Sequence, residues 1–234
     1  MKRYAFIFAR KGSKGLPEKN KRPFHGKPLV LHSIEQAKEL KEIDRVFVST
    51  DDKEIKQICL LNKVEVIDRP AELAQDTSPE WKAWIHAIEF VYNKYGEFEE
   101  FISLPVTSPL REKKDILKAI ERKKNVKADV CITVTDSLRN PHFNMVLDKD
   151  EFCQIIFSGS NLDNRQQAPK VYDICTLVYV CDPEYIVKNN HLFDGNVTYI
   201  KIPKERSIDI DDEIDFQIAE FLFEKRANSF CLFI

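Results

Sequence analysis

The sequence predicts a single α/β domain built on a mostly parallel sheet. Short, near-continuously apolar runs recur along the chain, amphipathic stretches at helical spacing separate them, and several of the runs empty into polar or charged loops. Strands buried on both faces read as continuous apolar runs. A repeated strand-helix order implies parallel pairing through right-handed crossovers. With 234 residues the chain can bury one sizeable core.

Residues 4–8, Tyr-Ala-Phe-Ile-Phe, read as the first strand. Leu29, Leu31, Ile34, Ala37 and Leu40 mark the first helix, and residues 45–49 the next strand. Ile55, Ile58 and Leu61 mark a second helix opened by Asp51-x-x-Glu54, close to a capping box. Residues 64–67 form a strand, and Trp81, Trp84, Ile85, Ile88, Val91 and Tyr92 stripe a third helix. A strand at 101–104, a helix marked by Ile116, Leu117 and Ile120, and a strand at 130–134 complete the alternation. From 136 to 172 the pattern loosens. A projecting insert at about 138–172, with short strands at 145–147 and 153–157 and an irregular polar stretch at 158–170, fits this better than a core layer. Strand character returns at 174–180 and 197–202. The last helix runs from 213 to about 226 with Ile214, Ile218, Phe221 and Leu222 at helical spacing, and the apolar end at 230–234 either packs on a neighbour or frays.

Composition narrows the class. A net charge of −2 argues against a nucleic-acid or membrane-surface binder, since such chains carry a basic excess. No run approaches the roughly 20 apolar residues of a membrane span, and the N-terminus does not resemble a signal peptide. The expected compartment is the cytoplasm. Six cysteines are scattered singly with no C-x-x-C pair, and His25, His32, His86, His142 and His191 lack metal-ligand spacing. Neither a zinc site nor a disulfide framework is indicated.

The loop after the first strand is the strongest chemical signal. Residues 9–20 read A-R-K-G-S-K-G-L-P-E-K-N, and six of the thirteen residues from Arg10 to Arg22 are Lys or Arg, with only Glu18 opposing them. Gly12 and Gly15 let backbone N–H groups approach an anion closely, and the cations supply charge-assisted bonds. A triphosphate is the ligand this suits. Neither G-x-x-x-x-G-K-[ST] nor G-x-G-x-x-G is present, which disfavours a Walker-type ATPase or a dinucleotide dehydrogenase.

Further segments sit at the ends of predicted strands: V-S-T-D-D from Val48, R-P-x-x-L-A-x-D from Arg69, T-S-P-L-R from Thr107, and D-x-D at Asp209 and Asp211. With A-R-x-x-S-K-G-x-P-x-K-N at Ala9, their order and spacing resemble the acylneuraminate cytidylyltransferases over nearly the whole chain. The resemblance implies a Rossmann-like nucleotidyltransferase domain spanning residues 1–234, with a small dimerisation arm. It also implies a homodimeric, Mg²⁺-dependent enzyme joining CTP to a nine-carbon α-keto acid sugar, a nonulosonate such as a sialic or legionaminic acid, with pyrophosphate released. Under it, Arg10, Ser13, Lys14, Lys19 and Asn20 hold the CTP phosphates, with Arg10 and Lys19 offsetting charge on the departing pyrophosphate. Arg69 reads the cytosine, where a fork of fixed donors suits the pyrimidine carbonyl. Asp209 and Asp211 hold Mg²⁺, brought to one face by alternation along a strand; capping of the last helix is the other reading of Asp211. Asp212 and Asp215 are expected to be solvated first-turn acids. Thr107, Ser108 and Arg111 belong to the substrate-binding set, as do Arg165, Gln166 and Tyr172 in an R-Q-x-x-P-x-x-Y segment of the arm near the partner's sugar pocket.

Two departures stand out. The family's N-G-A after that Tyr is replaced by Asp173, Ile174, Cys175 and Thr176, and the Gln of L-Q-P-T-S-P-L-R by Pro105 in Leu104-Pro105-Val106. Proline offers neither a side-chain amide nor a backbone N–H, so a less hydroxylated acceptor is expected. An eight-carbon keto-deoxy-octulosonate or a sugar phosphate is the alternative acceptor, opposed by the arm and the basic loop. An inactive relative would have lost Lys19 or one Asp of the pair, and this chain keeps all three.

Overall fold

The first strand shows why the sheet is covered on both sides. In β1 (Arg3–Phe8), Tyr4 and Phe6 point to one face and Ala5 and Ile7 to the other, and all four are buried. The structure, a computed structural model, describes residues 1–157 and 165–231, without the side chains of Arg165 and residues 227–231. Part of the irregular polar stretch expected at 158–170, and the end of the apolar tail, lie outside the described residues.

After β1 come a hairpin of β2 (Pro23–Phe24) and β3 (Lys27–Pro28), α1 (Leu29–Lys38), β4 (Arg45–Thr50), α2 (Lys53–Leu61), β5 (Glu65–Asp68) and α3 (Glu80–Tyr95). They are followed by β6 (Glu100–Ser103), α4 (Lys113–Val126), β7 (Val130–Asp136) and the arm hairpin of β8 (Val146–Lys149) and β9 (Phe152–Ile155). The chain then runs through β10 (Tyr172–Cys181), α5 (Pro183–Lys188), β11 (Val197–Lys201) and α6 (Glu213–Cys231). Seven strands form one sheet in the order β11-β7-β10-β6-β1-β4-β5. Only β10 runs antiparallel, to β6 and β7; the other strand pairs in that sheet are parallel. The α/β class and the mostly parallel sheet are as predicted. Among the described residues no helix is long and apolar enough to cross a membrane.

One face of the sheet carries an aromatic layer, in which Phe6 stacks on Phe47 and Phe101 at 5.3 and 4.5 Å and meets α3 through Trp84, Ile88 and Val91. The other face packs aliphatic residues of α1, α2 and α4.

Several local expectations change. The cap of α2 is Asp52, whose Oδ1 accepts from Glu54 N at 2.8 Å, while Asp51 instead accepts Lys11 N at 2.7 Å. The first position with helical backbone is one residue later than the pattern suggested. The arm strands also begin one residue away from the predicted bounds, and both are largely exposed. In α6 three of the four residues of the predicted stripe face solvent, Ile214, Ile218 and Phe221 being 67%, 42% and 63% exposed, while Leu222 packs against the core and Phe216 and Ala219 are buried. The β2-β3 hairpin decides this: Phe24 meets Phe216 and Phe223 edge-on at 5.7 and 5.3 Å, and His25 stacks on Phe223 at 4.3 Å. Two apolar stripes fit a helical period, and the aromatic contacts select one.

Arg111 is the largest fully buried side chain. Its guanidinium donates to Leu177 O at 2.6 Å, Ser33 Oγ at 2.7 Å and Gln36 Oε1 at 3.0 Å, tying the loop after β6 to α1 and β10. Burial pushes its pKa down to about 9. Acceptor oxygens on several sides keep so buried a cation tolerable. Arg111→Lys cannot reproduce this fork, so unfolding stability should fall by about 2 kcal/mol or more. A urea midpoint within error of the parent would show that the brace is not needed.

Candidate active site

The strand order reverses at β1. From β1 the chain moves outward to β4 and β5, then returns to β6 on the other side of β1, so the loops after β1 and β6 diverge and leave a crevice at the carboxyl ends. A cleft of about 240 Å³ occupies it, walled by Phe8, Arg10, Ser13, Lys19 and Asn20 on one side and by Pro105, Val106 and Thr107 on the other. The segment after β5 closes it with Arg69, Asp76 and Glu80.

The basic loop is fixed by its own contacts. Asn20 Nδ2 donates to Arg10 O at 3.0 Å, closing the loop on itself. Asp76 pairs with Arg10 at 2.5 Å and Lys14 at 2.6 Å, and these two contacts, Lys14 foremost, hold its carboxyl below the usual range. Arg10 and Lys14 are thus gathered at the rim. Lys19 is buried, and its Nζ donates to Ile210 O and lies 3.2 Å from Asp211 Oδ1. A Cβ added at Gly15 would sit 2.3 Å from Asp211 O, so the loop packs directly on the backbone of the acidic segment and only glycine fits there.

That acidic segment is not a strand. Residues 207–212 are irregular and connect the turn Lys204–Arg206 to α6, so the expected pleat alternation of Asp209 and Asp211 is absent. Long-range contacts set it instead: Ile210 N donates to Thr107 O at 2.9 Å, and buried Arg206 pairs with buried Asp115 at 2.6 Å. Asp211 projects into solvent, its side chain 79% exposed, and Asp209 Oδ1 is buried without a hydrogen-bond partner among the described residues. The helix is capped by neighbours. Asp212 Oδ1 accepts from Ile214 N at 2.8 Å, and Asp215 Oδ2 accepts from Asp211 N at 3.1 Å. Asp212 and Asp215 are therefore capping residues rather than free first-turn acids. Among the described residues no group of three or more His, Cys, Asp or Glu is placed to hold a metal.

Arg69 lies on the cleft floor, almost fully buried. It donates through Nε to Ser49 Oγ at 3.2 Å and through Nη2 to Ser49 O at 3.1 Å, with its guanidinium 5.4 Å over the Phe8 ring. Burial lowers its pKa. Glu80, the first residue of α3, lines the same floor and is exposed, and the partial loss of solvent around its carboxyl raises its pKa.

The fold brings together Arg10, Ser13, Lys19, Asn20, Arg69 and Thr107, with Lys14 and Asp211 at the margin. Ser108 and Arg111 fall outside the cleft. Ser108 is buried and donates to Thr176 O at 3.2 Å, and Arg111 is the core brace described above. Gln166 borders a separate open hollow near the arm, with Asp136, Arg139 and Lys170. Tyr172 packs on Tyr199 at 5.3 Å, and Arg165 starts the turn Arg165–Gln167. Glu80, Phe8 and a role for Asp76 escaped the sequence reading. Asp76 stood within the R-P-x-x-L-A-x-D segment; Glu80 reads as an ordinary first-turn acid.

A family model described as cytidylyltransferase matches residues 4–231. The chain is 34% identical over 223 residues to a post-translational flagellin modification protein B of Campylobacter coli, covering 94% of each. It is 33% identical over 219 residues to a CMP-N,N'-diacetyllegionaminic acid synthase of Campylobacter jejuni, covering 92% of each. In fold it is similar to a CMP:2-keto-3-deoxy-manno-octonic acid synthetase complexed with CTP, at TM-score 0.72 and 15% identity, covering 97% of this chain and 100% of that one. A reversed strand order that opens a cationic cleft, together with a match across nearly the whole chain, makes this protein a nucleotidyltransferase of the cytidylyltransferase family.

Proposed function

We propose that the protein transfers the cytidylyl group of CTP to a nonulosonate, giving the CMP-sugar and pyrophosphate. The observation that carries this is the convergence of the basic loop, Arg69 and the Asp209–Asp211 segment at one edge of the sheet. The sugar's anomeric hydroxyl attacks the α-phosphorus in line, the bond to pyrophosphate breaks, and the hydroxyl proton passes to solvent. Lys19 and Arg10 offset charge on the departing pyrophosphate, and Ser13, Lys14 and Asn20 hold the phosphates. Arg69 sets the base on the Phe8 floor.

Asp209 and Asp211 suit a hard cation. One supplies a buried carboxylate oxygen that no group among the described residues satisfies, and the other an exposed carboxylate beside Lys19. Mg²⁺ is commonly held by one or two carboxylates together with water and substrate phosphates, so a pair suffices. When bound, the metal supplies charge compensation at the phosphates.

The name of one relative covered along most of its length and one cleft residue favour legionaminic acid as acceptor. Pro105 lines the cleft, and its carbonyl already accepts from Ser33 Oγ at 3.1 Å and Arg111 Nη1 at 3.2 Å. It has no donor to give a sugar hydroxyl. Val106 beside it adds apolar wall. Legionaminic acid ends in a methyl group and carries an acetamido group in place of one hydroxyl, which suits that wall. Ile174 is exposed on β10 and does not line the cleft of its own chain.

The exposed arm supports a second subunit. Leu138, Phe143, Met145, Leu147, Phe152 and Phe157 expose large apolar surface on and around the β8-β9 hairpin, more than a solvated loop retains. A C₂ partner covers it, bringing Arg165, Gln166 and Tyr172 toward the other subunit's acceptor.

Pyrophosphate release should be far faster with CTP than with ATP, GTP or UTP, and should vanish in excess EDTA; full activity with chelator would remove the metal from the scheme. With CTP, kcat/KM for N,N'-diacetyllegionaminate should exceed that for N-acetylneuraminate by about tenfold, the scale of one unpaired polar group. Equal use, or the reverse order, would overturn the acceptor assignment. Sedimentation should give a dimer at micromolar concentration, and deletion of residues 145–157 a monomer; an intact chain already monomeric would refute the arm's role.

A further inference from the structure

Glu80 has one visible partner inside the protein and one oxygen to spare. Its Oε1 accepts from Trp84 Nε1 at 3.1 Å, and its carboxylate makes no ion pair among the described residues. Arg69 is the cation whose field acts on it, across the cleft floor rather than in contact. Arg69 in turn commits Nε and Nη2 to Ser49, leaving Nη1 without a protein acceptor among the described residues. The floor therefore presents a fixed cationic donor and an anionic acceptor that do not satisfy each other. Arg69 is buried and Glu80 open to the cleft, so a ligand that enters the cleft can reach both.

A pyrimidine edge is such a bridge. Cytosine offers ring acceptors at O2 and N3 and a donor in its exocyclic 4-amino group, whereas uracil carries a carbonyl at that position, and carboxylate side chains accept from the cytosine amine. With Arg69 on the carbonyl side, an acceptor opposite it favours the amine and leaves a uracil carbonyl facing a carboxylate. We propose that Glu80 is the acceptor that reads the exocyclic amine of the base and so separates cytosine from uracil. Trp84 holds the carboxylate from behind, at the first turn of α3. The inference rests on the cleft being a CTP site.

The test compares kcat/KM for CTP and UTP with a common acceptor in wild type, Glu80→Gln and Glu80→Asp, alongside calorimetric titration of each nucleotide. The Gln amide can donate to a carbonyl, so Glu80→Gln should narrow the CTP-to-UTP ratio about tenfold or more. Glu80→Asp, which keeps the carboxylate, should stay closer to wild type. An unchanged ratio in Glu80→Gln, even at reduced rate, overturns the proposal, as does an Asp variant less discriminating than the Gln variant. Calorimetry reads the same ratio without turnover. A wild-type enzyme that releases no pyrophosphate from CTP would instead overturn the cytidylyl reading beneath it.

Discussion

Every loop that walls the cleft leaves the sheet from one edge because β5, β4, β1, β6, β7 and β11 all run in one direction. Parallel strands put their carboxyl ends together, and the reversal of order at β1 keeps the loops after β1 and β6 from closing over one another. Residues as far apart as Lys19 and Asp211 meet on that edge. The single antiparallel strand, β10, preserves this direction: lying between β6 and β7 and opposed to both, it leaves β7 and β11 aligned with β1. The acidic segment after β11 is thereby delivered to the basic loop after β1.

Cations crowd the cleft, and the protein manages them by distributing carboxylates and carbonyls around it. Asp76 gathers Arg10 and Lys14 at the rim, Lys19 is anchored on Ile210 O and Asp211, and Lys21 is held outside the cleft by Asp52 and Glu54 at 3.3 and 3.0 Å. These contacts position the charges before a polyanion arrives, and such preorganisation is what makes electrostatic stabilisation effective in a transfer step. Behind them the scaffold is stiff. Arg206–Asp115 and the Arg111 fork tie the acidic segment and the loop after β6 to α4, α1 and β10, so a substrate between the two loops meets fixed walls.

Substrate discrimination then falls to a few groups on this common frame. Pro105 and Val106 make one wall poor in donors, and Arg69 and Glu80 give the floor one donor and one acceptor. A missing or misplaced hydrogen-bond partner in such a site costs more than a small change in apolar contact.

The sequence by itself determined the α/β class, the strand-helix order from β1 to β7 apart from the β2-β3 hairpin, the basic loop and the family to which its motifs belong. These are local matters: apolar runs, helical spacing, glycines and cations within a dozen residues. What only tertiary structure decided depends on contacts between distant segments. The face that α6 buries was chosen by Phe24 and His25, some 195 residues away along the chain. The segment carrying Asp209 and Asp211 is held not by strand pleating but by Thr107, Lys19 and Arg206. Arg111, a motif residue in the sequence, is withdrawn into the core because α1 and β10 offer it oxygens, and Glu80, an unremarked first-turn acid, shares the cleft with Arg69 because α3 begins there. Short-range pattern carries no record of which partner a side chain meets across the fold; burial and hydrogen-bond satisfaction settle that only when the layers close.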